Sequence, residues 1–358
     1  MDITLKKVAY LTISVIGIGW LAYIGSSILM PFIFGIIFAL FISPLEKKIT
    51  KFIPIRWLSI LASFLIVILP VALVAMIFSM QFISIIDSLP TIGKQLEDGV
   101  KEAVMTMHSA YPKLIPTPDR IKFSNLGSIF GGSFGFLTQG IVSSTNLVVN
   151  LFLTTIYTFL LLLYRGSIKN FIFFQFEKST RPEIKEIITR IKQTVQSYIG
   201  GLGLVIIFLS TLNTLGLWII GIDYPLFWGA FAGILAIIPY IGTALGGLLP
   251  FLYSLSTTDD WTQPIAIAIY YMIIQGVEGN LITPKIVGDK ININPLFAIL
   301  ALLFFGSLWG VGGIILALPL ISIVRIILSH FEETEAVAVL MSSNVNEKKH
   351  KFSEIAES

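Results

Sequence analysis

Glu278 is the one carboxylate that falls inside an apolar run of this sequence, in Tyr271-Met-Ile-Ile-Gln275-Gly-Val-Glu278-Gly-Asn280. An ion at the middle of a membrane costs about 2.5–3.5 kcal/mol on insertion scales, so a carboxyl group there is a functional candidate by default. A carboxyl held away from water can keep its proton near neutral pH, which suits proton coupling. The competing role is structural, an ion pair with Lys285 or Arg325, and the sequence leaves both open. Gln275 and Asn280 flank Glu278 and could hydrogen-bond a polar solute. Asn213 is a weaker candidate, since hydrogen bonding between helices accounts for it equally well. Gly242, Gly246 and Gly247 permit close backbone approach, and Pro239 and Pro250 fix bends. These positions, with Tyr240, Pro284, Gly310, Gly313 and Pro319, form the candidate pathway set; plain helix packing through small residues is the simpler account of the glycines.

Other chemistry lacks its parts. There is no Gly-x-x-x-x-Gly-Lys-Ser/Thr for nucleotide phosphates and no His-Glu-x-x-His for zinc. His108, His330 and His350 all lie outside the apolar runs, and the chain has no cysteine. The expectation is a protein that is not an enzyme, with no cofactor and no metal.

The elements that must position these residues are membrane-spanning. The 358 residues are 55% hydrophobic and only 13% charged, against roughly 25% charged in a soluble domain, and the mean hydropathy is +0.87. The net charge of +3 is weak, and the basic residues sit at the edges of apolar runs, so they report topology and not nucleic acid. No small-x-small cleavage pattern follows the first apolar run, which reads as a retained signal-anchor helix.

Charge placement divides the chain. Residues 8–45 carry no charge and lie between Lys6–Lys7 and Lys47–Lys48, with Gly25, Ser26 and Ser27 interrupting them. That predicts helices over 8–24 and 28–44, and Arg56 opens a third over 57–80. Residues 81–140 are polar, proline-bearing and balanced in charge, with a short amphipathic stretch through Leu96, Val100, Val104 and Met107, and are placed outside. A fourth span is expected over 141–164. Residues 165–192 carry seven bases against three acids, an inward signal. Thr180-Arg-Pro-Glu183 reads as a capping box for an amphipathic helix within 165–199. Fifth and sixth spans follow over 200–221 and 262–282, and a polar tail over 331–358.

Two uncharged runs have an awkward length. Residues 224–258 number 35 and residues 291–324 number 34. A single helix of that length would extend about 50 Å against a hydrocarbon core of about 30 Å, yet two spans need about 40 residues plus a turn. Broken, re-entrant hairpins fit, and glycines and prolines supply the breaks. Trp228-Gly…Ala-x-x-Pro239 and Trp309-Gly…Ala-x-Pro319 resemble each other, and Pro-Leu-Phe precedes each, at 225–227 and 295–297. The expected fold class is therefore an all-α polytopic membrane protein with about six full spans and two broken hairpins. The hairpins enter from opposite faces as an inverted repeat, and residues 200–330 form a transport core. Broken helices free backbone groups that must be buried in protein or line a wet cavity, so the breaks are where a site is expected.

Ile-Pro239-Tyr-Ile-Gly242, then Gln275-Gly-Val-Glu278-Gly-Asn280-Leu-Ile-Thr-Pro284-Lys-Ile-Val-Gly288, then Asn294-Pro295 and Gly310…Pro319, resemble the autoinducer-2 exporter family of bacterial permeases. The likeness runs from the first helices to about residue 330. One departure is Asn294, where relatives often carry His. The resemblance implies export of a small polar signal, autoinducer-2, in some members and sodium/proton antiport in others, a homopentamer, and the bacterial inner membrane with both termini cytoplasmic. The expected partners are lipid, a small polar solute and a coupling proton or sodium ion. A passive channel or envelope scaffold is the reading from a different class; it needs neither an inverted repeat nor an ionisable site.

Overall fold

The computed structural model describes residues 5–110, 144–237, 241–258, 260–282 and 292–343. Among these residues the regular structure is α-helix with one π turn and no strand. In chain order the helices are α1 (Leu5–Ile24), α2 (Ser26–Ile49), α3 (Arg56–Ala110), α4 (Ser144–Leu163), α5 (Arg165–Phe174) and α6 (Arg181–Ile220). They are followed by α7 (Pro225–Leu235), α8 (Ile241–Thr257), α9 (Thr262–Val277), the π turn Glu278–Ile282, α10 (Pro295–Leu328) and α11 (Glu332–Met341).

Four helical stretches are long and apolar enough to cross a membrane: Ser26–Ile49, Arg56–Gln81, Arg181–Ile220 and Pro295–Leu328. A fifth arises if Val148–Leu163 and Arg165–Phe174, bent by 68° at Tyr164, count as one broken span. Two of the stretches cover the expected spans 28–44 and 57–80, a third covers all but the last residue of 200–221, and the bent pair overlaps the expected span 141–164 from Val148 onward. The expected spans 8–24 and 262–282 fall on α1 and on α9 with its π turn.

Two elements run further than their composition suggests. α3 continues as one helix past Pro90 to Ala110, through the polar residues expected to break away at 81. α6 runs unbroken through Gly200 and Gly201, so the amphipathic stretch that starts at Arg181 and the apolar span are one rod of 40 residues. Polar residues do not end a helix; only a lost hydrogen bond or a disfavoured φ/ψ does, and leaving the lipid imposes neither. The remainder of the expected outside segment, from residue 111 to 143, lies outside the described residues.

The chain divides into two compact units, residues 1–66, 148–201 and 285–358 in the first and residues 67–147 and 202–284 in the second. In the first, Ile37 of α2, Val195 of α6 and Leu316 of α10 form a buried apolar cluster. Gly35 lets α2 approach α4, since a Cβ there would lie 2.7 Å from the Tyr157 Cβ. Glu46, fully buried, pairs with Arg165 at the α4–α5 bend. In the second, Phe227, Trp228 and Phe231 of α7 stack with Phe78 of α3 and Tyr253 of α8.

Each unit holds one broken hairpin. In the second unit α7 and α8 are antiparallel: Gly242 lies against Leu235, Gly246 against Ala232, and Trp228 against Tyr253. In the first unit α10 has non-helical backbone at Trp309 and at Gly310, whose φ is 60°. A Cβ on Gly313 would lie 1.8 Å from Phe305 O, and one on Gly306 would lie 3.0 Å from Ile314 Cγ1. In a straight helix residues eight apart are about 12 Å apart, so α10 doubles back at Trp309–Gly310. The break expected at Pro319 is not there: Pro319 sits inside the returning arm.

Candidate functional site

The second unit gathers five of the candidate residues around one crevice. α6 contributes Leu209 and Asn213, one turn apart; α7 contributes Ala232; α8 contributes Gly242 and Gly246, again one turn apart. α9 and the π turn contribute Tyr271, Ile274, Gln275 and Glu278, the i, i+3, i+4, i+7 face of a helix. The glycines set the closeness of the walls. A Cβ on Gly242 would lie 1.8 Å from Leu235 O, and one on Gly246 would lie 2.9 Å from the Ala232 Cβ. The crevice holds about 10 Å³, room for a single water-sized particle.

Asn213 is buried and oriented. Tyr270 Oη donates to Leu212 O at 2.8 Å and approaches Asn213 Oδ1 at 3.4 Å. Gly216 makes room for that ring, because a Cβ there would lie 2.3 Å from it. Glu278 is half-buried, and among the described residues none offers it an ion pair. It stands where α9 widens into the π turn, a geometry frequent at functional sites.

Asn280, expected to face a solute beside Gln275, does not line the crevice. It is exposed, and its Nδ2 donates to Gly276 O at 2.8 Å on its own helix. Gly310, Gly313 and Pro319 belong to the hairpin of the first unit, and Arg325 to its outgoing arm, where its Nε donates to Ala338 O. Pro239, Tyr240, Pro284 and Lys285 lie outside the described residues.

Tyr271 is a crevice residue that sequence reasoning missed. Its Oη is buried without a hydrogen-bond partner, and its ring packs over Gly247. It also lines, with Gln275, Gly247, Leu248, Phe251, Ala268 and Met272, an open groove of about 510 Å³ on the same two helices. The signal was available: Tyr271 is seven residues before Glu278, hence on the same helix face.

These broken helices, small-residue crossings and a half-buried carboxylate without an ion pair among the described residues coincide with a family match over residues 11–333, to the AI-2E family transporters. The chain belongs to that family. It is 28% identical over 318 residues to YueF of Bacillus subtilis (strain 168), named as a candidate transport protein, across 86% of this chain and 84% of that one. It is 30% identical to YrrI of the same organism, but that match spans only 43% of each chain. It is 31% identical to the AI-2 transport protein TqsA of Escherichia coli (strain K12) over 121 residues, 34% of this chain and 35% of that one. The protein is therefore a membrane protein of a transporter family.

Proposed function

We propose that the chain is a secondary transporter that exports a small polar solute at the expense of a proton or sodium gradient, and that Glu278 carries the coupling. The observation behind this is the crevice. A carboxylate with no ion pair among the described residues stands beside the amides of Asn213 and Gln275, where a broken hairpin meets two further helices. The name of TqsA suggests a solute like autoinducer-2. In this reading the protein lies in the bacterial cytoplasmic membrane with both termini inside, its hairpins enter from opposite faces, and it works as a homo-oligomer.

The crevice holds about one water, far less than a solute, so it serves the ion, and the hairpin must part from α6 and α9 to admit the solute. Glu278→Gln keeps the shape and removes the charge. In proteoliposomes it abolishes gradient-driven flux, at least 100-fold, while the protein assembles normally. If Glu278 is instead the structural partner of Lys285 or Arg325, the same change leaves a cation unpaired at a cost of about 3–5 kcal/mol, and assembly fails. Wild-type flux from well-assembled Glu278→Gln protein would defeat the proposal and favour a passive channel or a scaffold.

A further inference from the structure

In the first unit the end of α2 crosses the early part of α6. Gln196 Nε2 donates to Leu40 O at 2.6 Å, and Ile37, Leu40, Ile191 and Val195 share one apolar cluster, so this crossing is fixed. Lys47 lies two turns beyond Leu40 on α2, and Lys192 one turn before Gln196 on α6. The crossing brings their ammonium groups within hydrogen-bonding reach of each other, with the Arg165 guanidinium nearby. Both ammonium groups are donors only, so they cannot satisfy one another.

The carboxylate on this corner is already committed. Glu46 is fully buried; Arg165 Nη1 pairs with its Oε2, and Thr50 Oγ1 donates to its Oε1 at 3.3 Å. Glu46 is thus taken up by Arg165, and Lys47 and Lys192 are left facing each other on packed helices. Lys48 and Lys51 stand exposed beside them. The corner closes an apolar helix long enough to cross a membrane, which puts it at the level of lipid headgroups.

We propose that Lys47 and Lys192 clasp the phosphodiester of an anionic phospholipid, one whose phosphate charge is not already neutralised by a headgroup cation as it is in phosphatidylcholine. An anion between the two ammonium groups turns a repulsion into two charge-assisted hydrogen bonds. Free phosphate offers the same chemistry, but at this depth the lipid headgroup is already present and its glycerol backbone leads into the apolar layer beside α2.

The test uses the full chain reconstituted in phosphatidylcholine vesicles with and without phosphatidylglycerol, followed by thermal melting. Wild type melts higher with phosphatidylglycerol, and Lys192→Gln loses most of that gain. In pure phosphatidylcholine the order reverses: Lys192→Gln melts higher than wild type, because the repulsion is gone. A merely structural lysine gives no such crossing. In detergent, short-chain phosphatidylglycerol binds the Lys47→Gln/Lys192→Gln variant about 30-fold more weakly than wild type. Three results would overturn the proposal: an equal phosphatidylglycerol gain in wild type and double variant, a lower melt of Lys192→Gln in phosphatidylcholine, or inorganic phosphate stabilising as much as the lipid.

Discussion

The hairpin of α7 and α8 and the hairpin within α10 are built alike and furnished differently. Each opens with Pro-Leu-Phe, its proline in the first helical turn, and each carries a proline in its returning arm, Pro250 and Pro319. Each also places a glycine, Gly242 or Gly313, where a Cβ would stand 1.8 Å from a carbonyl oxygen of the entering arm. The furnishing diverges from there. The first hairpin faces a crevice with Asn213, Gln275 and Glu278. The second is braced instead: its tip is fixed by Trp309 Nε1 donating to Ala22 O at 3.0 Å, and its base is fixed by α11. One scaffold thus serves once around polar groups and once as a braced wall.

The largest effect tests the likeness. Gly242→Ala and Gly313→Ala each drive a methyl into backbone, not into a flexible side-chain tip. Each should cost about 3 kcal/mol or more, the upper range for overpacking. Both variants should lose most of their monodisperse protein after mild heating, in size-exclusion chromatography with fluorescence detection. Full tolerance at one position and collapse at the other would show that the two glycines are not equivalent.

This equivalence was only half legible in the sequence. The runs of 35 and 34 uncharged residues predict two hairpins, because neither length suits one crossing or two. Their register was misread. The Trp-Gly match pairs Trp228 with Trp309, yet Trp228 lies in the middle of an entering arm and Trp309 at a tip. Apolar sequences repeat small and aromatic residues freely, so identity is a poor guide; Pro-Leu-Phe, which starts a helix for a backbone reason, marks the true register. Glu278, Gln275 and Asn213 were readable as polar groups in apolar surroundings, and Tyr271 only through its spacing from Glu278. Ala232 and Leu209 were not, because an apolar wall looks like any other apolar residue until packing places it.

A middle-sized effect tests the difference in furnishing. Asn294 caps α10 by accepting from Phe297 N–H at 3.0 Å, while its Nδ2 donates to Leu340 O at 2.6 Å and its backbone N–H to Met341 O at 2.8 Å. One side chain therefore starts the hairpin and ties α11 to its base. Asn294→Ala should cost about 1–2 kcal/mol and lower the melting temperature by a few degrees. Gradient-driven flux at low temperature should stay within twofold of wild type, since the crevice lies on the other hairpin. A 100-fold loss of flux with an unchanged melt would place the second hairpin in the transport chemistry and erase the distinction.

The smallest effect contrasts how the two units start a helix. In the first unit the cap is Asn294, which does not titrate. In the second, α9 is preceded by Asp260, whose carboxylate accepts from the Thr262 hydroxyl and from Thr262 N–H. Those two bonds, the hydroxyl foremost, hold the Asp260 carboxyl below the usual carboxylate range. The sign follows from linkage: the folded chain releases this proton more readily than the unfolded one. The contribution is therefore fully present above the ordinary carboxylate pKa of about 3.9 and is lost as pH falls through the lowered folded value. The group is exposed, so the effect is small and is best read as a difference. Thr262→Val removes the hydroxyl bond and should narrow the gap in melting temperature between neutral and acid pH, whereas Asp260→Asn should remove the part of that gap due to this group. Asn294→Asp gives the first unit a titrating cap of its own and should widen the gap. If neither Asp260→Asn nor Thr262→Val changes the acid sensitivity, the Asp260 bonds do not hold in the folded protein, and the start of α9 rests on its packing against α8 alone.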